Sequence, residues 1–429
     1  MRNGHQYYRK IDATSKNKQL LGRKSMVEAD ALAGIKVIAL TRLVAAPFTA
    51  YQLALHGAEV INIETPNGGD MYRTNGDPTS SLIKGGMGCG FLAQGANKKS
   101  VTLNIATPEG QEILRKLIAD ADVFIENLRC GAMARYGLGY EDLIKLNPRL
   151  VYCSVTGYGQ TGPKKNDPAM DMAIQAASGM MSVNGTVESG PVKTSFPLVD
   201  YSTGLSATIG IMMALFKREH TGRGQQVDVS MLETALVMMS SFVTDYMTEG
   251  VTHGLVGNGS GRGGYIHNLY KTAEGALLIA ASTAAQRKKL WEVMDMADIE
   301  HDPRFATDTL CRKNVKALEG ELENRLLLRT AMEWETFLQS EGVTAMAIHT
   351  IQDIANSPQI AARRFLHTFP KDPQFDLSFT VPTTSYKLSE TPARLTTPPP
   401  RLGQHTDETL ATLGFGVAEV AKMRSAGII

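Results

Sequence analysis

From residue 34 onward the apolar positions switch repeatedly between two spacings. "GIKVIAL" reads as a buried strand, "PFTAYQLALHG" has helical spacing and ends on Gly57, and "AEVINIE" is a second strand. The theme repeats in "SVTLNI" and "TPEGQEILRKLIADA", where Thr107 is placed to cap and Pro108 occupies the first helical position, at which a missing N–H costs nothing. "DVFIEN" and "RLVYCSVTGYG" follow as strands around a helical "YEDLIKLN". Strands alternating with helices predict parallel pairing in a sheet covered on both faces.

The fold expected is therefore α/β, with an open Rossmann-like parallel sheet in a large domain over residues 32–225, completed by 400–429. After residue 225 the texture changes. "HTGRGQQVDVSMLE" leads into a methionine-rich helix, whose Met238, Met239 and Met247 read as core filler. "LYKTAEGALLIAAS" reads as a hairpin turning at Glu274-Gly275, and helices surround Trp291 and Trp334. These features predict a smaller α+β domain over 226–350. Residues 351–399 are expected to form an extended linker back to the large domain, with "TTPPPRLG" as a stiff strap.

Bulk properties narrow the function. With 44 basic against 43 acidic residues, no charge excess points to nucleic acid or an anionic membrane as partner. The longest apolar run, "LSATIGIMMALF" (205–216), falls short of the roughly 18 to 20 residues that span a bilayer and reads as a core helix. Four scattered cysteines, Cys89, Cys130, Cys153 and Cys311, form no Cys-x-x-Cys pair; they read as buried thiols in a reducing, cytoplasmic setting with no metal site. Residues 1–31 are polar and basic, lack the apolar stretch of a secretory signal, and read as a flexible extension.

Ligands of open α/β sheets gather beyond the carboxyl ends of the strands. The first strand, however, runs into "TRLVAAPFTA" and not Gly-x-Gly-x-x-Gly, "GGMGCG" (85–90) has the wrong spacing, and no Walker lysine motif is present. Asp171, in "NDPAMDMAIQAASGMM", follows a strand onto the ligand edge. Two readings stand: its carboxylate caps the helix it begins, or it is a nucleophile. "GNGSGRGGY" (257–265), with five glycines in nine residues, reads equally as a linker or a mobile lid.

The segments "GIKVIALTRLVAAPFTAYQLALHGAEVINIETPNGGD", "ANKKSVTLNIATPEGQEIL", "ADVFIENLRCGAMARYGLGYEDLIKLNPRLVYCSVTGYGQTGP", "AMDMAIQAASGMMSVNG", "VDYSTGLSATIGIMMAL", "TGRGQQVDVSMLE" and "LGQHTDETLATLGF" together, in this order, resemble the class III CoA-transferases. The resemblance implies that Asp171 is the catalytic carboxylate and that the glycine-rich loop, at Gly259 and Gly261, acts beside it. Contacts to coenzyme A are implied for Val44 and Ala45, for Leu103 to Ala106, for Asn127, Leu128 and Arg129 with Arg135, and for Thr156, Gly157 and Tyr158. Read alone, Arg129 and Arg135 are ordinary solvated charges. Thr65 and Asn62 depart from the family's basic residues, so part of the nucleotide grip is expected to differ.

The implied reaction moves CoA from an acyl-CoA to a free carboxylic acid through an aspartyl anhydride and an aspartyl-CoA thioester. Acyl-CoA is then a substrate and no cofactor is permanently bound. A carboxylate is anionic at neutral pH and needs no base to activate it. The resemblance also implies an interlocked homodimer. An α-methylacyl-CoA racemase would need a second base, typically histidine, yet no histidine lies between His56 and His220. A CoA-binding protein without chemistry is the other alternative.

Overall fold

The computed structural model describes residues 30–259, 264–373 and 377–429. The strands in chain order are β1 (Lys36–Leu40), β2 (Glu59–Glu64), β3 (Lys98–Thr102), β4 (Val123–Glu126), β5 (Val151–Thr156), β6 (Gly185–Thr186), β7 (Gly190–Pro191) and β8 (Gln226–Ser230). Six of them form one sheet in the order β3-β2-β1-β4-β5-β8, every pair parallel. The order reverses between β1 and β4, which opens a crevice at their carboxyl ends. Because β8 is the sixth strand, the large sheet extends through Ser230, past the boundary at residue 225 that its change of texture suggests.

Both faces of the sheet are covered, as the apolar strands require. On one face Val37, Ala39, Ile125 and Cys153 pack against helices α1 (Ala45–Ala54), through Ala46, Ala50 and Leu53, and, after α2 (Pro108–Ala119) and α3 (Asp171–Ala177), against the long helix α4 (Leu198–Thr221), through Ala207, Ile211 and Ala214. On the other face Ile38, Ile61, Phe124 and Tyr152 meet Ile113, Leu114 and Leu117 of α2, and the C-terminal residues Leu410, Val420 and Ile429 close the same cluster. Thr107 caps α2 by accepting from the Gly110 N–H at 3.1 Å, with Pro108 in its first turn, as the sequence predicts.

Helix α4 runs 24 residues, longer than its apolar run suggests, and has the length and hydropathy of a membrane span. Its inner face belongs to the core just described, while Leu205, Ile209, Met212, Met213 and Phe216 form an exposed apolar stripe. The stripe continues onto α5 (Met231–Met238) and α6 (Ser240–Glu249), where Val237, Met238, Tyr246 and Met247 are exposed. Met238 and Met247 are therefore not core filler, and only Met239 is partly buried. Cys89 is likewise exposed and Cys130 half-buried, which corrects the expectation of four buried thiols.

The smaller unit holds an antiparallel sheet in the order β11-β10-β9, from β9 (Asn268–Lys271), β10 (Ala276–Ile279) and β11 (Ala345–Ala347). Its first two strands form the hairpin around Gly275, and Trp291 and Trp334 lie in its own core. Residues 351–399 are not merely extended. They include two short helices and the hairpin of β12 (Leu366–Asp372) and β13 (Leu377–Pro382), whose Phe369 and Val381 pack with Tyr51, Leu55 and Phe91 of the large domain.

Candidate active site

At the switch point lies a cleft of about 480 Å³ lined by Thr41–Leu43 after β1, Glu64, Gly69 and Asp70 after β2, Leu103–Ala106 after β3, and Asn127–Arg129 with Ala132, Arg135 and Tyr136 after β4. Of the predicted CoA contacts, Leu103, Ala106, Asn127, Leu128, Arg129 and Arg135 are brought together here. Val44 and Ala45 are not on its wall: both are buried, and Ala45 belongs to the core as the first residue of α1. Their place is taken by Arg42 and Leu43, two residues earlier than expected. Arg42, Arg129 and Arg135 are exposed, and among the described residues none has a carboxylate within ion-pair reach. Three guanidinium groups on one rim suit a ligand carrying several phosphates.

The rim is built rigidly. Asn127 uses its side-chain amide on backbone, accepting from the Arg42 N–H at 2.9 Å and donating to the Arg42 carbonyl at 2.8 Å, so it clamps β1 to β4 across the switch point. Leu43 sits at φ +67°, a left-handed conformation that is costly for a non-glycine residue. It is held there by Asp70, whose carboxylate accepts the Leu43 N–H at 3.1 Å, and by Gln94, which donates to the Leu43 carbonyl. Burial pushes the Asp70 carboxyl above the usual range, against the hydrogen bonds from Tyr72 and Leu43.

Beneath the rim, Arg73 and Glu64 form a bidentate pair with both N···O distances at 2.7 Å and side-chain exposures of 2% and 1%. Ser100 and the Asp70 N–H also donate to Glu64, and Arg73 reaches the Pro400 carbonyl of the proline strap and stacks on Phe91. Burial alone would raise the Glu64 carboxyl, but the hydrogen bonds and charge of Arg73, with Ser100 and Asp70, outweigh it and hold the group below its ordinary value. Burial also pulls the Lys98 amine, bonded to the Pro47 carbonyl, down to about 7.

Asp171 is the first residue of α3; the N-cap is Met170, and no side chain caps this helix. The carboxylate instead turns to another helix. Its Oδ2 accepts the Asp200 N–H at 2.9 Å, one of the unpaired donors in the first turn of α4, and its Oδ1 accepts from Gln175 Nε2 at 2.6 Å. Gln175, one turn along α3 and 1% exposed, is fixed in turn by Thr194, donating to its Oγ1 at 2.9 Å and accepting its N–H at 2.9 Å. Neither oxygen is free of hydrogen bonds. Each accepts one bond, and a carboxylate oxygen has a second lone pair.

Asp200 is half-buried beside this carboxylate. Burial first, and the Asp171 charge second, push its carboxyl up to about 7. Tyr72, after Asp70, and Tyr201 both have phenols raised by burial and by nearby acids, Tyr201 by Asp200, and Tyr72 by Asp200, Asp70 and Asp171.

Thr156, Gly157 and Tyr158 lie under α3, away from the cleft wall. A Cβ on Gly157 would come 2.1 Å from the Ala169 Cβ, so this glycine lets the segment before Asp171 close on β5. Tyr158 joins the apolar cluster of Ile174, Val199 and Ala235 beneath Asp171. Gly259 donates to the Val256 carbonyl at 3.0 Å within its own turn, and Gly257 ties the loop to the β6–β7 hairpin through the Gly185 carbonyl at 2.7 Å. Gly261 lies outside the described residues. Arg42, Gln175, Thr194 and Asp200 escape sequence reasoning, although "TRLV" places a base at the end of β1 and "PLVDY" an acid in the first turn of a helix.

A parallel sheet with an arginine-rimmed cleft at its switch point, and a carboxylate anchored on two helices nearby, defines an α/β enzyme for a phosphate-bearing substrate. The model of CoA-transferase family III matches residues 32–406. An acyl-CoA transferase of Fusarium pseudograminearum is 34% identical, over 93% of this chain and 88% of its own length. The succinyl-CoA:glutarate CoA-transferase of Mus musculus is 31% identical, over 93% and 90%. The crystal structure of a CaiB/BaiF family protein from Brucella suis superposes with a TM-score of 0.79 at 32% identity, covering 90% of this chain and all of that one. The chain belongs to CoA-transferase family III and is a CoA-transferase.

Proposed function

We propose that the protein moves CoA from a dicarboxylic acyl-CoA to a second carboxylic acid, with Asp171 as the transient acyl carrier. The observation that carries the reading is the fixed carboxylate, held by Gln175 on one oxygen and by the start of α4 on the other. An Asp171 oxygen attacks the thioester carbonyl, the C–S bond breaks, and CoA leaves as thiolate from a mixed anhydride. The thiolate then attacks the Asp171 carbonyl carbon, the bridging C–O bond breaks, and the donor's acid departs from an aspartyl-CoA thioester. The acceptor carboxylate attacks the same carbon, expelling CoA thiolate and forming a second anhydride. CoA thiolate attacks the acceptor's acyl carbon, which yields the new acyl-CoA and restores Asp171. No net proton is consumed, so the site needs no general base.

The cleft supports this assignment because Arg42, Arg129 and Arg135 on its rim suit the phosphates of coenzyme A. Dicarboxylates are the favoured substrate class because the mouse relative, by its name, acts between succinyl-CoA and glutarate. The exposed stripe on α4 to α6 supports a homodimer, since an apolar face of this extent marks an interaction surface. The racemase reading finds no support at Asp171, whose described partners are an amide and a backbone N–H.

The test is exchange between succinyl-CoA and glutarate together with trapping of the intermediate. Turnover of succinyl-CoA quenched with hydroxylamine, which expels succinate or CoA and leaves a hydroxamate on the activated carboxyl, is expected to mark the peptide containing Asp171, and Asp171→Asn to lose the mark and at least about a thousand-fold of the exchange rate. Exchange that survives in the asparagine variant rejects the reading.

A further inference from the structure

We propose that Asp200 is a positioning residue that works in its neutral form: its backbone N–H orients Asp171 while its side chain stays uncharged, so that an anionic acid can approach the Asp171 carbonyl carbon. The inference rests on the reading of Asp171 as acyl carrier. Its geometric basis is that one residue supplies both groups. The Asp200 N–H is 2.9 Å from Asp171 Oδ2, so the side chain of the same residue is tied to the immediate neighbourhood of the nucleophile. No hydrogen bond or ion pair neutralises that side chain among the described residues.

The titratable groups coupled to it by charge are Asp171 from α3, Tyr72 from the turn after β2, and Tyr201 from its own helix. None is a cation. Position in the first turn of α4 favours an anion, but burial and the Asp171 charge act the other way and prevail, with the carboxyl raised to about 7. An Asp200 anion would set a second negative charge beside the first. Each acid that enters the cycle is itself an anion, so both charges would oppose its approach. Neutral Asp200 removes that opposition without disturbing the N–H that aims Asp171. Burial of the residue is thus functional in this account, because solvation would return the side chain to the ionised form.

The experiment is isotope exchange between labelled succinate and succinyl-CoA from pH 5.5 to 9, with trapping of the Asp171 peptide at each pH. Wild-type exchange is expected to fall about twenty-fold between pH 6.5 and pH 8.5, as one proton is lost from the pair. Asp200→Asn and Asp200→Ser, neutral at every pH, are expected to change by less than about twofold over the same range. A merely structural role would lower their rates evenly and leave the alkaline limb in place, and that result overturns the proposal. So does a flat wild-type profile with the Asp171 peptide labelled throughout, a measurement that needs no variant to fold. Absence of the hydroxamate on that peptide removes the acyl-carrier reading itself, and this inference with it.

Discussion

Gln175 Nε2 lies 2.6 Å from Asp171 Oδ1 and 2.9 Å from Thr194 Oγ1, so a single buried amide joins the proposed nucleophile to the segment after the β6–β7 hairpin. The three contacts of that amide, counting the Thr194 N–H on its carbonyl, leave it one orientation. Asp171 is thereby a cap after all, though of α4 and not of the helix it begins.

Gln175→Leu fills the same volume and removes every one of these bonds. The carboxylate would keep the Asp200 N–H and lose its second restraint, and loose aim of a nucleophile costs on the order of 10²-fold in rate. The expected result is a kcat lowered by roughly that factor with the KM for acyl-CoA little changed. Steady-state kinetics at a fixed acceptor concentration reads both.

Arg42, Arg129 and Arg135 rim the cleft as exposed charges, so their contribution to an anionic ligand is screened by salt. Replacing any one by alanine is expected to raise the KM for acyl-CoA by about ten-fold at low ionic strength and less at 0.3 M salt, with kcat near wild type. Arg42→Ala separates the cleft seen here from the one expected by resemblance, which places the first contact at Val44. Kinetics at two salt concentrations distinguishes the cases.

The sheet was legible because its cause is local: apolar runs of strand length, each followed by a helix with its own stop signal. Asp171 was legible as a candidate through its place after β5, whereas Arg129 and Arg135, solvated charges when read alone, entered only through the resemblance. What could not be read is what depends on distant residues meeting. The Asp171 carboxylate is satisfied by a donor on α4, and no spacing along α3 reports that. Val44 and Ala45, implied as contacts by the resemblance, adjoin the cleft in sequence, while the start of α1 buries them. The exposed methionines of α5 and α6 misled for a related reason, since an apolar residue on an exposed face has the same local signature as one facing the core.

The Glu64–Arg73 pair joins β2, the turn that carries Tyr72, and the proline strap, so its loss acts on stability and on the cleft wall together. Arg73→Met leaves a buried carboxylate without its counter-charge, which costs about 3–5 kcal/mol. Because the folded-state value of Glu64 is depressed, its share of the stability is complete above the ordinary carboxylate range and fades as pH falls through the folded value. Thermal unfolding is expected to show a large deficit for Arg73→Met near neutral pH, narrowing in acid as the stranded carboxylate becomes protonated.

On α4, Leu205, Ile209, Met212, Met213 and Phe216 recur at intervals of three and four and so share one face, and Ile209 and Phe216 are 60% and 68% exposed. The opposite face of the same helix, with Ala207, Ile211 and Ala214, is fully buried against the sheet, so the outward face is not excess surface left by a poorly packed helix. Val237, Met238 and Met247 extend the patch onto the next two helices. Burying such a patch against a second copy would remove several large side chains from water on each side, at about 1.5–3 kcal/mol apiece when burial is complete. A charge at its centre would then face apolar surface without a partner. Ile209→Asp and Phe216→Asp are therefore expected to shift the protein from dimer to monomer in sedimentation velocity, while Ile211→Asp, on the inner face, unfolds it instead. A wild-type chain that sediments as a monomer at micromolar concentration would remove the homodimer from the account, and the stripe would then need a different partner.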